Sequence, residues 1–187
     1  VPVVNLLSDR SHPLQALADV ITMVEAVGAI DALEVAWVGD YNNVARSLSE
    51  AVCLLGGSMR LGGPPGHQVT AEEVTRLSQL GGSVSVHASP EDTVTGAHVV
   101  HTDTWTSMGQ ESETDARRGA FEGWTVDAAL MSRARPGARF MHCMPVHRGE
   151  EVSADVMDSG VSLAVRQGHH RLTAARGALR WVLGEDA

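Results

Sequence analysis

The run His142-Cys143-Met144-Pro145-Val146-His147-Arg148 sets a thiol, two imidazoles and a guanidinium side by side. An ionised thiol is a nucleophile or a soft ligand, an imidazole a base or ligand, and a guanidinium a grip for anions. Three chemistries compete here. A structural zinc site would need a second ligand pair at regular spacing, which His142, Cys143 and His147 do not supply, so no metal is expected. A Cys-His nucleophile would need a third, orienting group, and none is evident. A lone Cys at the end of an apolar run is otherwise a small buried hydrophobe.

A second run, Asp103 to Glu111, reads D-T-W-T-S-M-G-Q-E directly after the apolar stretch A-H-V-V-H-T. Turn chemistry asks for Gly or Asn and does not explain a Trp and a Met. Trp105 packed inward is the structural reading. The functional one uses Asp103 to bind an ammonium, and Ser107 with the backbone at Met108 and Gly109 to meet an amino-acid head group. A zwitterionic amine fits the two runs taken together. His12 and Gln15 form a third candidate, on one face near a helix start where anions are favoured. In G-D-Y-N-N (39–43), the GxGxxG of a dinucleotide site is missing, so Asp40, Asn42 and Asn43 are read as turn and cap residues. His87, His98 and His101 are read as core or surface residues, while His169 and His170 are given no role.

The elements that must position these residues follow from hydrophobic period and punctuation. Leu14, Leu17, Ala18, Ile21, Val24 and Val27 mark a helix, with Pro13 in its first turn and Gly28 at its stop. The run 33–40 is a short buried strand, and 43–57 a helix with Val44, Leu48, Val52 and Leu55 on one stripe. A strand at 58–63, a helix at 70–82 capped by Thr70, a strand at 83–88, a short helix opened by P-E-D-T-V and a strand at 97–102 continue the pattern. A helical stretch near 125–132, a strand at 138–143, a short helix within 149–160, a brief strand at 161–165 and a final helix from about 171 to 184 complete it. This alternation predicts an α/β fold: a Rossmann-like, three-layer α/β/α sandwich with a central parallel sheet, spanning residues 1–187 as one domain. Ligands of such sheets collect past the carboxyl ends of the strands where strand order reverses, which selects 39–43, 102–111 and 142–148.

Composition narrows the function. A formal charge of −9 with no clustered basic face excludes a sequence-independent nucleic-acid binder. All 14 basic residues are Arg, so Schiff-base lysine chemistry and a Walker-type phosphate lysine are excluded. Cys53 and Cys143 stand far apart without CxxC spacing, and no run approaches the roughly 20 apolar residues a membrane span needs. A soluble, cytoplasmic protein is expected. The opening V-P-V-V-N-L-L-S-D is apolar and strand-like with no initiator Met, and it reads as the interior of a longer protein.

Four segments, N-L-L-S-D-R-S-H-P-L-Q-A-L-A-D-V-I-T, V-G-D-Y-N-N-V-A-R-S-L, T-D-T-W-T-S-M-G-Q-E and H-C-M-P-V-H-R-G-E-E-V, occur in the order and at about the spacing of ornithine carbamoyltransferases. The chain resembles their carboxyl-terminal, ornithine-binding half over nearly its whole length. The resemblance implies transfer of the carbamoyl group from carbamoyl phosphate to the δ-amine of L-ornithine, giving L-citrulline and phosphate as in arginine biosynthesis, with no cofactor. It implies that Asn5, Asp103, Ser107, Met108 and Cys143 bind ornithine. His12, Gln15, Cys143, Met144 and Arg171 would contact carbamoyl phosphate, and Asp103, Cys143 and Arg171 would act in catalysis. Met144 stands where the family usually has Leu, and R-Q-G-H-H-R where it usually reads Glu-Asn-Arg. The family's S-T-R-T-R phosphate loop does not occur in these residues. Little turnover is therefore expected without a carbamoyl-phosphate-binding amino-terminal half, and a homo-oligomer is expected, a trimer in the family. Two alternatives share the fold: a carbamoyltransferase for another amine, and a noncatalytic amino-acid-binding or interaction domain.

Overall fold

The sheet is built from short runs, buried on both faces in its middle and alternating apolar with polar toward one edge. In the computed structural model, which describes residues 1–106 and 111–184, these are β1 (Glu34–Val38), β2 (Ser58–Gly62), β3 (Ser83–His87), β4 (Val99–Thr102) and β5 (Arg139–His142). All pair in parallel in the order β3-β2-β1-β4-β5. The chain builds outward from β1 to β3 on one side and then returns to β1's other edge to lay down β4 and β5. Strand order thus reverses between β1 and β4, and their carboxyl ends flank the crevice where such sheets bind ligands.

Alternate side chains of β1, β4 and β5 feed two cores, while β2 and β3 contribute to the first alone. Val35, Trp37, Val99 and Met141 join one cluster, while Ala36, Val38, Val100 and Phe140 join the other. The first is covered by α1 (Pro13–Ala26), α2 (Asn43–Leu54) and α3 (Ala71–Ser78). The second lies under α4 (Pro90–Val94), α6 (Ala128–Met131) and α7 (Ala154–Met157), joined by Phe121 just past the end of α5 (Thr114–Ala120). The three-layer sandwich read from the sequence is the observed architecture.

Capping and packing explain α2. Asn42 is extended and its side-chain oxygen accepts from Val44 N and Ala45 N, both at 3.0 Å, satisfying two donors that a helix start leaves free. Val44, Leu48 and Val52 are buried below it, whereas Leu55, expected on the same stripe, lies past the helix end and is exposed. Close approach elsewhere needs glycine. A Cβ at Gly62 would sit 2.0 Å from Thr93 Oγ1, so α4 lies directly on β2.

Three expectations are corrected. The final helix, α8, runs Ala164–Leu183 and begins seven residues before the expected start at 171. Gly168 and the His pair interrupt the apolar period, yet Ala164, Gln167 and Ala174 are buried and hold the segment helical. The strand expected at 161–165 is a single bridge between Ser162 and Phe140. The strand-like amino-terminal segment forms no strand. Ser8 and Ser11 exchange backbone hydrogen bonds, and Asn43 Nδ2 donates to Ser8 O while Arg46 Nη1 donates to Arg10 O, tying the segment to α2.

The face that α1 buries is half polar. Gln15, Asp19 and Thr22 are buried together with Ala16, Ala18 and Met23, whereas Leu17 and Val24 of the predicted stripe are exposed. Helix α1 packs between α2 and α8, so its inward surface is chosen by what those helices and β4 offer. Among the described residues no helix is long and apolar enough to cross a membrane.

Leu48 is fully buried and Leu172 is 66% exposed, which separates two otherwise identical truncations. Leu48→Ala is expected to cost about 2–5 kcal/mol and Leu172→Ala to stay within about 0.5 kcal/mol, read as midpoint shifts in urea unfolding.

Candidate functional site

Two segments leave the sheet at the reversal, 39–43 after β1 and the stretch opening with Asp103 after β4, and 143–148 leaves the neighbouring edge strand β5. Gly39, at φ 137°, turns the chain out of β1 in a conformation suited to glycine. From there the Asn42 side chain works at both ends. Its oxygen caps α2 and its Nδ2 donates to Asp103 Oδ2 at 2.8 Å. Cys143 Sγ donates to Asp103 Oδ1 at 3.0 Å, and Thr104 N donates to the same oxygen at 2.8 Å. An ionised carboxyl offers about four acceptor positions, so three donors leave about one for an incoming N–H.

Cys143 is buried, and that burial, more than anything, pushes its thiol well above the usual cysteine value. The negative charge of Asp103, the hydrogen bond to it and the charge of Asp19 push the same way. The thiol is therefore a neutral S–H donor at physiological pH, neither a thiolate nucleophile nor a ready soft ligand.

Met144 follows in the left-handed region at φ 59°, an uncommon conformation for a side chain other than glycine, and Met144–Pro145 is a cis bond. The turn is held by His142. Its Nδ1 accepts from Met144 N at 2.8 Å, and its Nε2 lies 3.1 Å from Glu151 Oε1, which also accepts from His147 N at 2.6 Å. Both ring nitrogens of His142 are thus engaged, with the proton assigned to Nε2. Asp103, His142 and Cys143 bring one potential metal-ligand atom each within 4.8 Å of one another, yet His142 has no nitrogen to spare.

Behind Cys143 lies a buried polar network. Asp19 Oδ1 accepts from Gln15 Nε2 at 2.8 Å and from Gln167 Nε2 at 2.6 Å, and Gln167 Oε1 accepts from His142 N at 3.0 Å. His101 stacks on Trp37 with ring centroids 5.0 Å apart and places Nε2 3.0 Å from Gln167 Nε2. Gln15 Oε1 and His12 Nδ1 are buried without a hydrogen-bond partner among the described residues. Burial, then the nearby charge of Arg171, lowers the His12 pKa, and the Leu6 main chain, Asp19 and Asp103 oppose that shift. His12 is accordingly neutral at physiological pH.

Residues 31–182 match the model of a family described as Aspartate/ornithine carbamoyltransferase, Asp/Orn binding domain. The chain belongs to the aspartate/ornithine carbamoyltransferase family. It is 44% identical over 186 residues to the ornithine carbamoyltransferase of Herminiimonas arsenicoxydans, covering 99% of this chain and 60% of that protein. It is 41% identical over 185 residues to that of Nitratidesulfovibrio vulgaris, covering 99% of this chain and 62% of the relative. The ornithine carbamoyltransferase structure from Pyrococcus furiosus superposes with a TM-score of 0.93 at 42% identity, covering 100% of this chain and 61% of that one. The chain thus spans about three fifths of the length of the relatives it matches.

For this carbamoyltransferase-family chain, the predicted site residues separate into groups. Asp103 and Cys143 are in direct contact, Met144 adjoins them, and the charges of Asp103 and Arg171 both act on His12. Gln15 reaches the same region through Asp19, whose charge acts on Cys143. Among the described residues, Asn5 is not hydrogen-bonded to this cluster. It donates to Ser8 Oγ at 3.3 Å and Ser11 Oγ at 2.7 Å within its own segment. Ser107 and Met108 lie outside the described residues.

Trp105 is buried and stacks on Phe121 at 5.5 Å, as its structural reading required. Arg117 Nη1 donates to Trp105 O and to Asp40 Oδ2, both at 2.9 Å, anchoring the base of the loop to the first crevice segment. Sequence reasoning gave Asn42 its cap but not its grip on Asp103, and it passed over Asp19, Gln167 and Glu151. Asp19 carried a signal, since it lies one turn from Gln15 on the same helical face.

Because the neutral thiol is favoured in the folded chain, the unfolded chain loses this proton first, and stability from Cys143 drains away as pH rises from about 8.5 upward. Iodoacetamide modification of Cys143, followed by peptide mass spectrometry across pH, should therefore reach half-maximal rate well above pH 9. Asp103→Asn should speed it several-fold at pH 8.5 by removing a charge that opposes ionisation. A midpoint at an ordinary thiol value would contradict the geometry.

Proposed function

We propose that this chain is the ornithine-binding part of a carbamoyltransferase that moves the carbamoyl group of carbamoyl phosphate to the δ-amine of L-ornithine, giving L-citrulline and phosphate. The observation that carries the reading is the hydrogen bond from the neutral Cys143 thiol to the Asp103 carboxyl at the strand-order reversal, in a chain of this family.

Asp103 binds an ammonium group of ornithine through its remaining acceptor position, and Cys143 contacts the amine from the other side. An alkylammonium has no lone pair for attack, so the amine is held while it gives up one proton to solvent. Its lone pair then forms the N–C bond as the C–O bond from the carbonyl carbon to phosphate breaks, and the departing phosphate carries off the second proton. Ser107, Met108 and Asn5 are assigned to the amino-acid head group. For Asn5 this requires its amide to leave Ser8 and Ser11, two exposed partners.

Gln15 contributes an acceptor. Its Nε2 is committed to Asp19, which leaves the unpartnered Oε1 to receive the carbamoyl NH2, and the main-chain carbonyls at Cys143 and Met144 serve the same group. His12 and Arg171 supply donors where charge develops on the carbamoyl carbonyl. Holding amine and carbonyl in line supplies most of the rate gain in this scheme, which needs no covalent intermediate.

The phosphate grip is assigned to a carbamoyl-phosphate-binding half outside these 187 residues. The exposed Leu17 and Val24 on α1, with Leu172 and Leu179 on α8, are assigned to contacts with that half or with further copies.

Calorimetry with L-ornithine tests the acceptor site. Binding at millimolar or better is expected, weakened about tenfold or more in Asp103→Asn, the loss of one charge-assisted hydrogen bond. No heat with ornithine would favour a noncatalytic domain, and binding of a different amine from an acceptor panel would redirect the substrate. Given carbamoyl phosphate and ornithine, these residues alone should form little or no citrulline. Robust turnover would refute the assignment of the phosphate grip.

A further inference from the structure

The segment that follows Cys143 carries a second cluster of chemistry-bearing groups that the carbamoyl-transfer scheme does not use. His147, Glu150 and Glu151 each place one potential ligand atom within 4.8 Å of the others. Glu151 is fully buried, and its two oxygens have different fates. Oε1 accepts from His142 Nε2 and His147 N, whereas Oε2 has no donor among the described residues. A buried carboxyl oxygen without a partner is costly and calls for a physical explanation.

Oε2 points toward the His147 ring, 3.8 Å from Nδ1, which is too far for a hydrogen bond. It is a fitting span for two atoms sharing one ion. With metal–ligand lengths of about 2.0–2.2 Å, two ligands of a divalent ion lie about 3–4 Å apart. The His147 side chain is 53% exposed while that of Glu151 is fully buried, so the cluster lies where the protein surface meets its interior.

We propose that His147, Glu150 and Glu151 form a binding site for a divalent transition-metal ion of the zinc or cobalt class, with water completing the coordination. One imidazole and two carboxyls suit that class and fall short of the six to eight oxygens calcium takes. The Glu150 carboxyl is shared, since Arg118 Nη2 donates to its Oε1 at 2.6 Å, so an ion drawing on this carboxyl competes with that ion pair. An ion here also clamps the loop that bears Met144, because the other oxygen of Glu151 already holds His142 and the His147 main chain.

Titration of the metal-free 187-residue chain with Co2+, read by calorimetry and by the visible absorption of the bound ion, tests the site. The account expects one equivalent bound, weakened at least tenfold by His147→Gln and by Glu151→Gln, and tightened several-fold by Arg118→Gln, which frees Glu150. Cys143→Ser should leave it unchanged. His147 is largely exposed, so its variant tests the ligand even if the buried Glu151 change unfolds the chain, which circular dichroism would report. Absence of binding, binding indifferent to His147→Gln, or binding abolished by Cys143→Ser would each overturn the proposal, the last by placing the ion at Asp103 and Cys143.

Discussion

The Asp103 carboxyl is the junction on which the site depends. It collects hydrogen bonds from Asn42 beyond β1, from Thr104 in its own loop and from Cys143 beyond β5. Only a sheet in which β4 lies between β1 and β5 brings those three sources to one point, so the strand order is a precondition of the chemistry. The same arrangement keeps the thiol protonated. Burial and the adjacent negative charge both raise its pKa, and the proton it retains orients the carboxyl.

A second layer of constraint stands behind this one. Gln15 and Asp19 on α1, His101 on β4 and Gln167 on α8 form one buried network that also receives the main-chain N–H of His142. Such networks are costly unless nearly every member is satisfied, and in return they specify a single arrangement. Here the arrangement fixes which way the Gln15 amide faces, with its nitrogen on Asp19 and its oxygen unpartnered. The polar half of α1's inner face is thus a positioning surface beside Ala16, Ala18 and Met23, while Leu17 and Val24 are exposed.

The strands were legible because most are short apolar runs bounded by turn residues and 83–88 alternates with a period of two, and the alternation of strand and helix implied a parallel sheet. That implication also singled out the three crevice segments, and with them the Asp103–Cys143 pair. Elements whose boundaries depend on distant partners were not legible. Helix α8 begins at Ala164 because residues there bury despite Gly168, and Ser162 makes one bridge where an apolar run suggested a strand. Asn42 was recognisable as a cap from local sequence, but its second hydrogen bond spans to Asp103 and no local pattern reports it. Gln167 and Glu151 stayed hidden for the same reason, being polar residues whose roles exist only after α8 and the loop past β5 have packed.

The proposed function requires Asp103 and Cys143 to embrace one amine beside the strand-order reversal. A crystal structure of the chain with L-ornithine would display that contact. An amine nitrogen is expected about 3 Å from the Asp103 carboxyl, in hydrogen-bond range, and beside the Cys143 sulfur. Ornithine lodged elsewhere, such as the shallow recess bordered by Tyr41, Gly63 and His67, with Asp103 contacting only its protein partners, would contradict it.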